Sequence, residues 1–203
     1  MSNRQQQQLL FVVSAPSGAG KTSLCSEVLR QVSALRFSIS HTTRAPRAGE
    51  EHGKNYFFVS QEQFREYLAH NKIAEWTEIY GNCYGTAKET IHAAGEQGFD
   101  LLFDIDERGG RQLSEAYAAV VTILVLPPSM EVLRKRLIDR GTETQDSLRT
   151  RLQRAKEEIE RMRWYTHVIV NDAFAKAAEQ LKSIIIAERT RHDHGSIEVL
   201  LNE

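Results

Sequence analysis

One nine-residue run, Ser14-Ala-Pro-Ser-Gly-Ala-Gly-Lys-Thr22, constrains this chain more than any other. Its residues are too small to build a core, yet it is bracketed by apolar sequence. Before it stands Leu9-Leu-Phe-Val-Val13, the pattern of a buried strand, and after it Leu24, Val28, Leu29, Val32 and Leu35 follow helical spacing. Strand, glycine loop, helix is the order of nucleotide-binding α/β folds. In such a loop the backbone N–H groups wrap a polyphosphate, with the positive N-terminus of the helix behind it. Lys21 can reach β and γ phosphate oxygens, and Thr22 can ligate Mg²⁺. Ala15, Pro16, Ser17, Gly18, Ala19, Gly20, Lys21 and Thr22 are therefore the expected triphosphate cradle. The usual pattern GxxxxGK[ST] has glycine where this chain has Ala15. Either the loop is degenerate or the backbone at position 15 tolerates a methyl group, and the retained Gly18, Gly20, Lys21 and Thr22 favour tolerance.

Composition narrows what such a loop can serve. At roughly 100–200 residues per domain, 203 residues make one substantial domain. Twenty-six basic and twenty-seven acidic residues leave a formal net charge of −1, so no global basic field points to nucleic acid or an anionic membrane. An anion site must be local. The apolar runs at 9–13 and 120–126 are far short of the roughly 20 residues of a membrane span, and the leader Met1-Ser-Asn-Arg-Gln-Gln-Gln-Gln8 is polar. Cys25 and Cys83 stand far apart and form no CxxC. The expectation is a cytoplasmic chain with two buried, reduced thiols and no signal peptide. No HExxH or GxSxG occurs, which argues against a zinc or serine hydrolase.

The apolar pattern also sets the organisation. Between about 37 and 86, short aromatic or β-branched runs alternate with turns, and Ser60-Gln-Glu-Gln63 reads as a capping box, so this stretch is a small mixed insertion. A helix is expected near 87–97. Leu101-Leu-Phe-Asp-Ile105 and the run 120–126 are apolar without alternation, as buried parallel strands are. Pro127-Pro-Ser129 opens a helix through Leu133 and Leu137, and 141–145 reads as a hinge. Leu148, Leu152, Ala155, Ile159 and Met162 stripe a charged helix, followed by a strand at 167–170 and a helix at 174–188.

Several polar residues fall where chemistry needs them. Asp104 and Asp106 end a buried strand and suit Mg²⁺ or its water shell, and either can instead cap a helix. Arg44 and Arg47 flank a proline, ahead of Tyr56, and can clamp a phosphate or remain surface arginines. Seven basic residues lie between 134 and 154; Arg136 and Arg140 share a helix face before the hinge, and Arg151 lies beyond it. Any one of them can simply be a solvated charge.

Taken in order, APSGAGKT, SHTTRAPRAGE, GKNYFFV, EWTEIYGNCYGT, LLFDID, RLIDRGTET and VIVND resemble guanylate kinases over about residues 8–188. The resemblance implies an α/β P-loop fold with a central parallel sheet (CORE, about 8–38, 87–135 and 165–188), an inserted GMP-binding region (about 39–86) and a helical LID (about 136–164), with polar tails at 1–7 and 189–203. It implies transfer of the ATP γ-phosphoryl group to GMP with Mg²⁺ as cofactor. By position, Arg44, Arg47, Tyr56 and Tyr84 would hold the GMP phosphate, and Ser40, Glu75 and Thr86 would read the guanine. Asp104 would lie close to GMP and the metal, with Asp106 nearby. Lys21, Arg44, Arg136, Arg140 and Arg151 would be catalytic, and Asn171 with Asp172 would lie near the ATP adenine. A carboxylate at Glu75 suits guanine, whose N1–H and exocyclic amine are a donor pair that adenine does not present. The competing expectations are a non-catalytic interaction module of the same fold and a kinase for another nucleoside monophosphate. The sequence leaves the oligomeric state open.

Overall fold

The structure is a computed structural model, describing residues 8–139 and 145–191. Its centre is β1 (Leu10–Ser14), buried at every position. The pleat sends Phe11 and Val13 to one face and Leu10 and Val12 to the other, so one pentapeptide supplies two cores. Parallel neighbours β7 (Asp100–Asp104) and β8 (Val120–Leu126) flank β1. With β2 (Leu35–Phe37) and β9 (His167–Val170) at the edges, the five-stranded sheet runs β2-β7-β1-β8-β9.

Helices cover both faces, as the near-continuous apolar strands require. Leu24 and Val28 of α1 (Lys21–Gln31) meet Ala177, Leu181 and Ile185 of α7 (Phe174–Arg189) in the Phe11 and Val13 core. On the other face Ile91 of α3 (Lys88–Glu96) and Leu113 of α4 (Glu107–Ala116) pack with Phe103, Met162 and Tyr165. A third cluster, Leu133 and Leu137 of α5 (Met130–Asp139) with Leu148 and Ala155 of α6 (Gln145–Arg161), joins those two helices.

A second sheet, ordered β4-β3-β6-β5, is built from β3 (His41–Thr42), β4 (Phe57–Phe58), β5 (Ile73–Ile79) and β6 (Asn82–Ala87). Tyr80 and Gly81 join β5 to β6 with φ of 51° and 76°. Positive φ at both central residues is the tight hairpin geometry that matches strand twist. The capping box at Ser60 and Gln63 opens α2 (Gln61–Ala69) as its sequence predicts.

Three expectations change. Leu35 is not helical: α1 ends at Gln31, Ala34 turns the chain at φ 52°, and Leu35 starts β2 opposite Asp100. A three-residue apolar spacing fits both arrangements, and edge-strand burial wins. Helix α4 is new, since Gly109 and Gly110 conceal a helical run that Asp106 starts by accepting a bond from the Gly109 N–H. Cys25 is buried, but Cys83 is only half-buried. Most of the expected hinge and all of Arg140 lie outside the described residues.

Candidate active site

The glycine loop runs from the end of β1 into α1, at the point where the sheet continues on either side of the central strand. Open α/β sheets bind ligands there, at the carboxyl ends of their strands. Gly18 and Gly20 hold φ of 97° and 94°, which a side chain rarely adopts. Ala15 is not among the positive-φ residues, and its methyl group packs against the Phe11 and Val13 core. The departure from the usual glycine therefore falls where the backbone does not require one.

Two braces hold the loop from beneath. Asn171, 5% exposed, donates its side-chain amide to the Ala19 carbonyl at 2.7 Å. A Cβ on Gly20 would stand 2.5 Å from that amide nitrogen. The Asn171 carbonyl in turn accepts from Arg136 at 2.8 Å. On the other side the Tyr165 hydroxyl donates to Ser14 Oγ at 2.7 Å, and Ser14 donates to the Ile105 carbonyl at 2.7 Å. Burial pushes the Tyr165 hydroxyl up to about 12, so it remains a donor across physiological pH.

At the mouth, Lys21 Nζ lies 2.5 Å from Asp104 Oδ1 and donates to the Ile105 carbonyl at 3.3 Å. Thr22 Oγ1 donates to Asp104 Oδ2 at 3.0 Å. A hydroxyl and a carboxylate adjoining a phosphate cradle are the hard oxygen donors that suit Mg²⁺, which keeps waters and substrate phosphates in its remaining positions. Asp106, by contrast, is engaged as the cap of α4. Among the described residues no group of three or more His, Cys, Asp or Glu side chains is placed to hold a metal.

A second polar cluster lies on the small sheet. Arg44 pairs with Glu50 at 2.8 Å, and the other Glu50 oxygen accepts from the Arg47 N–H at 2.7 Å. The Arg44 guanidinium stands 5.5 Å from the Tyr56 ring centre, and Tyr56 meets Tyr84 edge-on at 5.9 Å. Burial raises the pKa of Tyr56, as do the charges of Tyr84 and Asp104, against the opposing charge of Arg44. Arg47 is exposed and Ser40 half-buried.

Glu75 is 2% exposed, and its Oε1 accepts from the Thr86 hydroxyl at 2.7 Å. Cross-strand pairing of β5 with β6 sets the two opposite each other. Burial, opposed by the Thr86 bond and reinforced by Asp106, lifts the Glu75 carboxyl to about 7. A cleft of about 680 Å³ runs from the glycine loop past residues 77–80 and 106–108 to Arg154, Glu158 and Arg161 of α6.

The family model described as guanylate kinase matches residues 7–188. The guanylate kinase of Geobacter metallireducens is 48% identical over 187 residues, spanning 92% of both chains. That of Clostridium tetani is 43% identical over 195 residues, 96% of this chain and 93% of its own. The crystal structure of guanylate kinase from Anaplasma phagocytophilum superposes with a TM-score of 0.79 at 31% identity, covering 98% of this chain and 96% of that one. The chain belongs to the guanylate kinase family.

Within this guanylate kinase fold, sequence reasoning finds Lys21, Thr22 and Asp104, which the structure gathers, and Glu75 with Thr86, which it pairs. Asn171, expected with Asp172 near the ATP adenine, donates its side-chain amide into the loop. Sequence reasoning misses the Tyr165, Ser14 and Ile105 chain, the half-buried Glu158 whose pKa burial raises, and the bond from Arg154 to the Tyr80 hydroxyl at 2.6 Å. A serine ending an otherwise apolar strand is the one local signal that could have exposed the first of these.

Proposed function

We propose that this chain transfers the γ-phosphoryl group of ATP to GMP, giving ADP and GDP, in guanine-nucleotide metabolism and recycling. The observation that carries this reading is Glu75: a buried carboxylate, bound to a threonine hydroxyl and packed against the helix that follows Asp104. Burying a carboxylate is costly unless a ligand supplies donors, and guanine offers two side by side.

The chemistry follows from the groups around the cleft. The GMP phosphate oxygen is already an anionic nucleophile, so no covalent enzyme intermediate is needed, and positioning with charge stabilisation suffices. Residues 15–22 cradle the ATP phosphates, and Lys21 leaves Asp104 for the β and γ oxygens. Thr22 and Asp104, with Asp106 acting through water, are the residues to hold Mg²⁺. Bound Mg²⁺ supplies neutralisation of phosphate charge. Arg44 and Arg47 clamp the acceptor phosphate with the hydroxyls of Tyr56 and Tyr84, while Ser40, Glu75 and Thr86 read the base. Arg136, Arg140 and Arg151 close over the transferring group as part of a LID spanning about 136–164, against a CORE and an insertion at about 39–86. Asn171 serves ATP through the loop it braces. Among the described residues no helix is long and apolar enough to cross a membrane. A cytoplasmic site of action, without nucleic-acid or membrane partners, agrees with the chain's near-neutral charge.

Calorimetric titration tests the base-reading half of this proposal. GMP is expected to bind at least about tenfold tighter than AMP, and Glu75→Gln to remove the difference. Equal binding of the two nucleotides by the wild-type protein would contradict it.

A further inference from the structure

Helix α4 approaches the Glu75 side chain of β5 so closely that a side chain at Gly109 would have to displace it. A Cβ built on Gly109 would lie 2.4 Å from Glu75 Oε2 and 3.2 Å from Ile105 Cδ1. The Gly109 φ is not positive, so the backbone does not demand glycine, and alanine would favour the helix. What a side chain there would meet, and have to move, is the Glu75 carboxylate.

One turn further along α4, Gln112 grips the adjoining residue of the strand. Its Oε1 accepts from the Trp76 N–H at 3.0 Å, and its Nε2 donates to the Trp76 carbonyl at 2.7 Å. β5 is an edge strand, and this amide takes the place of a missing neighbour on both backbone groups. The Gly109 N–H is taken by Asp106, while Thr86 holds the opposite oxygen of Glu75. The carboxylate is thus fixed between a hydroxyl on β6 and a bare patch of helix backbone.

We infer that Gly109 and Gln112 are specificity-positioning residues: Gly109 leaves the space that sets the depth of the Glu75 carboxylate, Gln112 fixes the strand that carries it, and together they aim it at the base of the acceptor nucleotide. The inference rests on Glu75 being the base reader. Because α4 begins within three residues of Asp104, the helix that seats the base reader grows from the strand end facing Lys21.

The test compares kcat and KM for GMP and for inosine monophosphate, which lacks the exocyclic amine, in four proteins: wild type, Gly109→Ala, Gln112→Leu and the double variant Gly109→Ala with Glu75→Asp. Gly109→Ala lowers the GMP to inosine monophosphate ratio of kcat/KM by about tenfold or more, mostly through the KM of GMP. The shorter aspartate makes room for the methyl group and recovers part of the ratio. Gln112→Leu lowers it about threefold, because the strand loses its clamp and the carboxylate its fixed depth. An unchanged ratio in a folded Gly109→Ala protein overturns the inference. Should that variant fail to fold, Gln112→Leu decides: its bonds lie at the surface, and an unchanged ratio there overturns the inference equally. A wild-type enzyme with no preference for GMP would fail the base-reader reading itself, before any variant is compared.

Discussion

Glu75 carries its charge where the surroundings resist it. Its carboxyl sits at about 7, raised chiefly by burial from an ordinary value of 4.5. If Glu75 reads guanine as proposed, only its ionised form accepts from the two donors of the base, and GMP affinity is expected to weaken by about tenfold per pH unit as pH falls below that value. The same shift makes the folded protein bind the proton more tightly than the unfolded chain, so this group lowers stability as pH rises from about 4.5 to about 7. KM for GMP measured from pH 5.5 to 8.5 checks the first claim: the step near 7 is expected in wild type and lost in Glu75→Gln. Ala15 offers the opposite case, a departure from pattern that the backbone accommodates. Its backbone needs no glycine and its methyl group meets the core, so Ala15→Gly is expected to leave kcat for ATP within about twofold and to change stability by at most about 1 kcal/mol. A rise of tenfold or more in kcat would mark the native loop as impaired. Lys21 and Thr22 are legible in sequence because a phosphate loop is local. Glu75 is legible only through its ordered neighbours, because a lone glutamate beside Trp76 is more often a solvated charge.

At the level of elements, what the sequence conceals is how the loop is supported. Asn171 and Tyr165 brace it from residues 152 and 151 positions away, and no spacing rule reaches that far. Asn171→Ala leaves the Ala19 carbonyl without its buried partner. The expected cost is about 1–3 kcal/mol in urea unfolding, with KM for ATP raised more than KM for GMP. Equal effects on both nucleotides would mean that the brace serves the whole fold rather than the loop. Strands β1, β7 and β8 were readable as unbroken apolar runs. Strand β2 and helix α4 were not: β2 is too short to show a period, and the glycines of α4 answer to Glu75 and to the Tyr165 hydroxyl rather than to helix propensity.

Across the whole molecule, two sheets share one cleft. The parallel sheet brings the glycine loop to it and the smaller one Thr77 to Ile79 of β5, with α4 packed against β5 and β1 and α6 across the opening. Arg154 of α6 already reaches the Tyr80 hydroxyl at the hairpin tip, so helix and hairpin meet over the cleft. The relation of the sheets depends on contacts between residues far apart in sequence, which explains why the family resemblance, rather than periodicity, conveyed it. We expect this cleft to pass a phosphoryl group from ATP to GMP in preference to other nucleoside monophosphates. The most direct measurement follows ADP and diphosphate product with Mg·ATP and, in parallel, GMP, AMP, CMP and UMP, for wild type and Lys21→Met. Rapid GDP formation with GMP alone, reduced by about a hundredfold or more in the variant, is the expected result. Transfer to AMP or a pyrimidine nucleotide at a comparable rate, or transfer undiminished without Lys21, would contradict it.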